Sequence, residues 1–253
     1  MRTVLGVDLG ATWLRACMAE GGKVLWNVKT PAPDWRDLPQ ALSRLLHRRS
    51  LRRVGSLTVG GTRLGSRKDR AALKRRLAPL ARSVCVLTDF EIAHLAAFDR
   101  GPGVILVAST GSVAFARGLD GKTARAGGLG PLLGDEGSGF WLGRQALRDP
   151  VLSRKLPDPL RLARSEDPVR AVAALAPRVL ALSARLRREA AALLAGLARE
   201  ASRGLKLPKP TPLALHGSLF KCAALRAEVL KRLGGSWRVV TPRAPAEKSA
   251  AGF

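Results

Sequence analysis

The same order of strand and turn signals occurs twice in this chain of 253 residues. In each half, an apolar strand is followed by a turn of small residues, a second strand, a glycine-containing turn and a third strand. The first set fills residues 3–29, and the second begins with the apolar stretch from Val104 to Ala108. The sequence therefore predicts an α/β protein built from a duplicated domain, with boundaries at 1–100 and 101–253.

The hydrophobic periodicity and the positions of glycine and proline predict the remaining elements of both halves. In the first half we expect further strands at 54–59 and 83–87, and helices at about 40–51, 69–80 and 91–98. In the second half we expect helices at about 139–147, 169–205 with a break near Pro177, and 219–233, and strands at 213–216 and 237–240. Residues 149–167 are predicted to be a polar connector, and residues 241–253 to be a short polar tail.

Composition excludes several classes of protein. Hydrophobic residues make up 46% of the chain and charged residues 25%, which is enough for a core and argues against wholesale disorder. No apolar run approaches the roughly 18 residues of a membrane-spanning helix, and the N-terminus lacks signal-peptide features, so we expect a cytoplasmic protein. The three cysteines have neither CxxC nor Cys/His spacing, which argues against a disulfide framework, a zinc site or an iron–sulfur cluster.

The formal charge of +25 is large enough to attract polyanions. The basic clusters at 47–53, 67–76 and 185–188 coincide with helical patterns, as solvated helix faces do. The sequence has no Tyr, and no aromatic residue is interleaved with the basic runs to make a stacking platform for bases. We therefore expect no specific nucleic-acid partner, although a non-enzymatic polyanion binder stays open as an alternative.

The segment from Gly6 to Thr12 places an acid at the end of a strand, directly before a turn of small residues. Gly10 and Ala11 would let backbone N–H groups approach phosphate oxygens, and Thr12 could donate another hydrogen bond. Asp8 could hold Mg²⁺ directly or through water. The alternative is an ordinary hairpin with a buried aspartate.

A second turn of this kind, Ser109-Thr110-Gly111-Ser112, stands at the matching point of the second half. Two such hairpins facing each other could hold a triphosphate between them, which makes the pair better evidence than either turn alone. The helix-opening GxxxxGK[ST] loop is absent from the sequence.

Asp89 follows a predicted strand and immediately precedes a predicted helix. In that position it could be a helix N-cap. It could also be a general base that accepts the proton of an attacking hydroxyl during phosphoryl transfer.

The segment from Gly127 to Trp141 combines many glycines with two acids, Asp135 and Glu136. Each ordered glycine costs backbone entropy, so a segment this rich in glycine is unusual for an ordinary loop. The two acids could bind sugar hydroxyls, bind a metal or cap the following helix. We favour a ligand role for Asp135 and a helix-start role for Glu136.

Four motifs together resemble those of the N-acetylglucosamine kinase and BadF/BadG/BcrA/BcrD-type ATPase family, which belongs to the sugar kinase, heat-shock-protein and actin superfamily. They are GVDLGAT at 6–12, TDFEIA at 88–93, ASTGS at 108–112 and GGLGPLLGDEGSGFWLGRQAL at 127–147. The later stretch LHGSL at 215–219 looks like the adenosine-side glycine motif of that family. In amino-sugar kinases of this type, an Asn-bearing loop typically follows the third strand, where this chain has TPAPDW at 30–35.

The resemblance implies two RNase-H-like (actin-like ATPase) domains flanking a nucleotide cleft, with ATP and Mg²⁺ as cofactors. It implies a kinase of N-acetylglucosamine or a related hexosamine or hexose, with an accessory ATPase as the alternative. Dimerisation is common in the resembled family, so a homodimer is a further expectation. Carried over by position, the implied roles are catalytic base for Asp89, metal site for Asp8, phosphate and nucleotide binding for Gly10, Ala11, Thr12, Thr110, Gly111, Ser112 and Gly217, and sugar binding for Asp89, Gly128, Leu129 and Asp135.

Overall fold

The computed structural model describes residues 3–10, 12–62, 64–242 and 244–252. The chain divides into two units, of which the first runs to Asp99 and also takes in the segment from Pro242 onward. The second unit is Arg100–Thr241. The chain therefore passes from the first unit to the second between Asp99 and Arg100.

The first unit contains a five-stranded mixed sheet in the order β3-β2-β1-β4-β5. Its strands are β1 (Thr3–Leu9), β2 (Trp13–Glu20), β3 (Lys23–Pro31), β4 (Val54–Gly61) and β5 (Ala81–Thr88). The first three form an antiparallel meander, and β4 and β5 extend the sheet in parallel with β1. The carboxyl ends of β1, β4 and β5 therefore lie at one edge of the sheet.

Helices α1 (Leu38–His47) and α2 (Arg67–Leu77) cover one face of this sheet, and α3 (Asp89–Phe98) follows β5. Leu38, Leu42 and Leu46 recur every four residues along α1, so they form one apolar stripe that is fully buried. The stripe shares a core with alternate β1 residues, Leu5, Val7 and Leu9, because a strand presents every second side chain to one face.

The second unit repeats this sheet, in the order β10-β9-β6-β7-β8. Its strands are β6 (Gly103–Ala108), β7 (Ser112–Arg117), β8 (Thr123–Gly127), β9 (Thr211–His216) and β10 (Trp237–Val239). Strands β6, β7 and β8 are antiparallel neighbours, whereas β9 pairs in parallel with both β6 and β10. The predicted duplication is confirmed, since the central strand, the meander and the two parallel strands hold equivalent positions in both sheets.

The helices of the second unit are α4 (Gly139–Arg148), α5 (Pro150–Ser153), α6 (Pro159–Ala163), α7 (Pro168–Ala173), α8 (Ala176–Leu182), α9 (Ala184–Ser202) and α10 (Ala223–Leu233). Helix α9 packs its alanine and leucine face on β6, β7 and β8. The predicted connector at 149–167 contains two short helices, each capped by an aspartate side chain. The predicted helix at 169–205 is three helices, and Pro177 lies in the first turn of the second, where a missing N–H costs no helical bond.

The tail beyond Thr241 differs from its prediction. It forms a short helix, α11 (Ala246–Ala250), that packs on β1, β2 and α3 of the first unit. Gly6 permits this close approach, because a Cβ there would overlap the carbonyl oxygen of Glu247. The predicted second domain of 101–253 therefore ends at Thr241, and the tail belongs with the first unit.

Among the described residues, no helix is long and apolar enough to cross a membrane.

Candidate functional site

The predicted acids of the first unit lie at the same edge of its sheet. Asp8 is in register with Gly60 of β4, which is in register with Leu87 of β5, two residues before Asp89. One strand, β4, thus lies between β1, which carries Asp8, and β5, which ends directly before Asp89, so the backbones of β1 and β5 are roughly 10 Å apart. These residues lie at one edge because β1, β4 and β5 are parallel. No local sequence signal indicates this arrangement.

The Asp8 carboxylate is partly exposed and pairs with an arginine on the neighbouring strand. Its Oδ2 atom lies 3.3 Å from Nη1 of Arg15, the residue opposite it on β2, and its side chain is 21% exposed. The alternative of a buried aspartate in an ordinary hairpin is therefore not what the structure contains. The carboxylate can be reached at the strand end.

The turn between β1 and β2 is tight and exposes a hydroxyl. The Gly10 N–H donates to the carbonyl of Trp13 at 3.0 Å, and the Thr12 side chain is exposed. The Thr12 carbonyl accepts a hydrogen bond from the N–H of Ala32 at 3.0 Å, which ties the turn to the end of β3. Ala11, the other residue predicted in this turn, lies outside the described residues.

Asp89 is the first residue of α3, and it is exposed. The N-cap of this helix is Thr88, whose hydroxyl accepts from the N–H of Glu91 at 3.3 Å. Glu91 in turn accepts from the N–H of Thr88 at 2.7 Å, which completes a capping box. The reading of Asp89 as the helix N-cap is thus excluded, and its carboxylate, which accepts from the N–H of Phe90 at 2.9 Å, stands at the strand end.

In the second unit, the turn between β6 and β7 packs against the glycine-rich segment. Thr110 is exposed at the tip, and the Ser109 N–H donates to the carbonyl of Gly111 at 2.9 Å. For Ser112 the structure differs from the prediction of a phosphate ligand. Its side chain is 2% exposed, and its hydroxyl donates to the carbonyl of Glu136 at 2.7 Å, so it fixes the loop.

Asp135 is buried against this turn, with 8% of its surface exposed and a left-handed backbone (φ 62°). Its Oδ1 atom accepts from the N–H of Ser112 at 3.3 Å. A Cβ on Gly111 would lie 2.7 Å from Oδ2, so glycine is required for this contact. The carboxylate predicted to hold sugar is therefore also the support of the second phosphate-type turn.

Burial has the largest effect on the Asp135 carboxyl and raises its pKa. The hydrogen bond from Ser112 lowers the pKa, the nearby Glu136 carboxylate raises it, and the N–H of Gly130 lowers it slightly, with a net upward direction. Neither acid caps α4, because that N-cap is Ser138, whose hydroxyl accepts from the N–H of Trp141 at 3.1 Å. The predicted helix-start role of Glu136 is therefore wrong.

Two further predicted sugar residues begin the glycine-rich segment. The N–H of Gly128 donates to the carbonyl of Ser112 at 2.9 Å, which continues the β7–β8 pairing. Leu129 is 57% exposed beside it, and Leu132 and Leu133 are 92% and 79% exposed. The segment thus presents an apolar, solvent-accessible surface next to the β6–β7 turn.

A cavity of about 620 Å³ opens beside the same turn, within the second unit. It is lined by Ser109, Thr110, Arg170, Ala173, Ala174, Ala176, Pro177, Leu180, Ser218, Leu219, Lys221 and Cys222. Its size is that of small-molecule sites, and its wall combines an apolar helical surface with two cations. Gly217 precedes this wall with φ 106°, and a Cβ there would collide with the Ala108 carbonyl, so it holds the end of β9 against β6.

Sequence reasoning missed most of this cavity. The sequence pattern around several lining residues predicts only ordinary helix. These residues are Arg170, the alanines of α7 and α8, and Lys221. The only local signal was the predicted break near Pro177, which falls on the cavity wall. Among the described residues, no cluster of three or more His, Cys, Asp or Glu side chains could hold a metal ion.

Comparisons with known proteins identify a family over nearly the whole chain and curated relatives over about half of it. The model of the BadF/BadG/BcrA/BcrD ATPase family matches residues 5–252. A curated N-acetylmuramic acid/N-acetylglucosamine kinase from Clostridium acetobutylicum is 25% identical over 58% of this chain and 53% of its own length. A curated N-acetyl-D-glucosamine kinase from Dictyostelium discoideum is 31% identical over 45% of this chain and 40% of its own length. The matched regions thus span about half or less of these relatives.

Solved structures share the fold over nearly the full chain. A protein from Chromobacterium violaceum, provisionally described as an N-acetylglucosamine kinase, superposes with a TM-score of 0.78 at 24% identity and covers 99% of this chain and 98% of its own. A ROK hexokinase from Thermus thermophilus gives a TM-score of 0.56 at 20% identity, with coverage of 98% and 97%. These likenesses concern the arrangement of the two sheets and their helices.

Proposed function

Because the chain belongs to the BadF/BadG/BcrA/BcrD ATPase family, we propose that it is an ATP-dependent kinase of a small carbohydrate. It transfers the γ-phosphate of ATP to a sugar hydroxyl. N-acetylglucosamine or a related hexosamine or hexose is the acceptor that we propose, since both curated relatives carry the name of an N-acetylglucosamine kinase.

The observation that carries the proposal is the placement of Asp89. It stands exposed at the carboxyl end of β5, while Thr88 and Glu91 satisfy the first turn of α3. An exposed carboxylate at the end of a strand, in a helix whose cap is another residue, can act as the acceptor of a proton from a hydroxyl group. The rigid capping box fixes its backbone, as a general base requires.

The cavity of the second unit supports nucleotide binding. Its apolar wall from Ala173 to Leu180 suits a purine ring, and Ser109 and Thr110 place the β6–β7 turn at its border. Arg170 and Lys221 would attract phosphate groups. The supporting role of Asp135 behind Gly111 keeps the turn in one conformation, which preorganises its N–H groups toward an anion.

The residues also fit a magnesium ion bound with ATP. Asp8 offers a partly exposed carboxylate at the strand end, and Mg²⁺ in kinases is commonly held by one or two carboxylates plus substrate phosphates and waters. When bound, the ion neutralises charge on the transferred phosphate. Arg15 would limit how far the Asp8 carboxylate can turn toward it.

In the reaction that we propose, Asp89 accepts the proton of the sugar hydroxyl as that oxygen forms a bond to the γ-phosphorus. The bond between the γ-phosphorus and the bridging oxygen breaks, and ADP leaves. Thr12 and Thr110 donate hydrogen bonds to phosphate oxygens from the tips of the two turns. Gly128 and Leu129 contribute backbone and apolar contacts to the sugar.

The test is an ADP-release assay with ATP and Mg²⁺ against a panel of hexoses and hexosamines. We expect turnover with one of them, and we expect Asp89→Asn to lower kcat by about 10²- to 10⁴-fold, because a general base is lost. Asp99→Asn is the matched control. It changes the same residue type at the C-cap of the same helix, where a left-handed backbone (φ 45°) tolerates asparagine, so activity should persist.

Undiminished sugar phosphorylation by Asp89→Asn would remove this residue from the mechanism. ATP hydrolysis that no sugar stimulates would favour the alternative, an accessory ATPase. Such a protein uses ATP to open and close and makes no phosphorylated product. A binding assay with ATP, run in parallel, separates loss of chemistry from loss of nucleotide affinity.

A further inference from the structure

A second cavity lies in the first unit and plays no part in the reaction proposed above. Its volume is about 440 Å³. It opens between the end of the β2–β3 hairpin and helix α1, where Leu14, Ala41 and Leu45 form an apolar floor. Thr30 and the proline-rich segment that follows it also line the cavity.

Arg44 of α1 and Arg48, the C-cap residue of that helix, line this cavity. They are four residues apart, so their side chains lie on one face of the helix, where like charges repel. Within the described part of the chain, neither guanidinium makes an ion pair or a side-chain hydrogen bond. Both residues are exposed, and no carboxylate among the described residues forms an ion pair with either of them.

The neighbouring arginines behave differently. Arg49 donates to the carbonyl of Leu45 at 3.1 Å and stacks 4.2 Å from the centre of the Trp26 ring. Arg53 donates to the carbonyl of Ala81 at 3.0 Å. Arg49 and Arg53 thus have protein partners, whereas no ion pair or side-chain hydrogen bond joins Arg44 or Arg48 to another described residue.

The segment after β3 supplies few competing donors to the cavity. Pro31 and Pro33 have no N–H, and the Thr30 hydroxyl donates to the Pro31 carbonyl at 3.3 Å. An oxyanion in this cavity would therefore take its hydrogen bonds from guanidinium groups, whose planar geometry matches carboxylate and phosphate oxygens.

We propose that this cavity binds a small organic molecule of about monosaccharide size that carries a phosphate or carboxylate group. The oxyanion bridges Arg44 and Arg48, and the carbon body lies on Leu14, Ala41 and Leu45. A volume of about 440 Å³ exceeds what a bare phosphate ion fills and lies within the range of small-molecule sites.

A hydrogen bond links a residue that lines this cavity to the first phosphate-type turn. Ala32, which lines the cavity, donates its N–H to the Thr12 carbonyl at 3.0 Å. An occupant that shifts the proline-rich segment would shift this bond as well. Binding here is therefore placed to modulate the β1–β2 turn.

The experiment is calorimetric titration of the full chain, with excess ADP and Mg²⁺ present so that no phosphoryl transfer occurs, using four probes: glucose 6-phosphate, glucuronate, inorganic phosphate and neutral glucose. We expect at least one of the two acidic sugars to bind more tightly than inorganic phosphate, and the preference between them to identify the anion. Arg44→Gln/Arg48→Gln should weaken that binding by at least about tenfold, because two charge-assisted contacts are lost. Arg44→Lys/Arg48→Lys, which keeps the charge, should weaken it by a smaller factor.

Arg52→Gln/Arg75→Gln is the matched control, because it removes two exposed arginines that do not line the cavity. We expect it to change the affinity by less than about twofold at physiological salt, where distant charges are screened. Equal losses in the two Gln double variants would overturn the proposal in favour of general charge attraction. Absence of measurable binding by either acidic sugar to the unaltered chain would overturn it outright. The titration measures binding and not phosphoryl transfer. Its result therefore tests the proposed site independently of the proposed kinase activity.

Discussion

The carboxylate of Asp135 accepts a hydrogen bond from the N–H of Ser112 at 3.3 Å, across 23 residues of sequence. Through this contact the glycine-rich segment supports the β6–β7 turn. The motif predicts a sugar-binding role for this acid, but the side chain is mostly buried. We therefore expect substitution of Asp135 to alter the conformation of the β6–β7 turn.

The first prediction concerns pH and Asp135. Because its pKa is raised in the folded state, the folded chain holds more protons than the unfolded chain at pH values just above the ordinary carboxyl pKa of 3.8. Stability from this group is therefore greatest at low pH and is lost as pH rises through the folded pKa. Asp135→Asn removes this titration, so the unaltered protein should lose stability relative to the variant as pH rises.

Urea unfolding of both proteins, at several pH values from about 4 to about 8, measures this difference. A stability difference that does not change with pH would contradict the assignment.

The second prediction concerns the contact between Gly111 and Asp135. Gly111→Ala places a Cβ 2.7 Å from Oδ2, and we expect a loss of about 1–3 kcal/mol from overpacking. In an Asp135→Ala background the space is open, so the same change should cost less, with a coupling of at least about 0.5 kcal/mol. Unfolding free energies of the two single variants and the double variant give the coupling. Additive effects would mean that the two residues do not meet.

The third prediction separates the helix cap from the catalytic position. Thr88→Ala removes the cap of α3 and should cost about 1 kcal/mol of stability. Because the cap also fixes Asp89, kcat should fall as well, while KM for ATP changes little. Ser66→Ala removes the corresponding cap of α2, where the hydroxyl accepts from the N–H of Lys68 at 3.2 Å. It should lower stability to a similar extent and leave kcat intact, and equal losses of kcat in both variants would indicate a general effect of stability.

The fourth prediction concerns the cations of the larger cavity. Lys221→Gln should weaken ATP binding by about three- to tenfold, which corresponds to about 0.6–1.4 kcal/mol, since an exposed cation contributes modestly in salt. Lys231→Gln is the control, because Lys231 is exposed on α10 and does not line the cavity. Calorimetric titration with ATP measures both affinities. The same affinity in both variants would place the phosphates elsewhere.

The elements that sequence reasoning predicted best are those with short-range signals. Strands β1, β2 and β6 begin and end close to the predicted residues, because alternation and glycine turns are local properties. The tail was predicted poorly, because α11 has five residues and exists through its packing on β1, where Gly6 admits it. No periodicity in so short a segment could have indicated a helix.

The candidate site shows the same division. The motifs marked Asp8, Asp89, Thr110 and Asp135, and the resemblance gave each a role. The cavity beside Thr110 was not predictable, because its lining comes from α7, α8 and the segment after β9, which are distant in sequence. Likewise, the Ser112 hydroxyl could be assigned to the loop only once its partner, the Glu136 carbonyl, was known.

The sequence by itself determined the duplicated order of strands, the two small-residue turns and the family, because each depends on residues that are neighbours in the chain. Only the tertiary structure decided that Thr88 and not Asp89 caps α3, that Asp135 supports Gly111, and that two arginines share a cavity. Those facts depend on which groups satisfy which hydrogen bonds and charges in three dimensions, and the chain settles that competition only when its distant segments pack together.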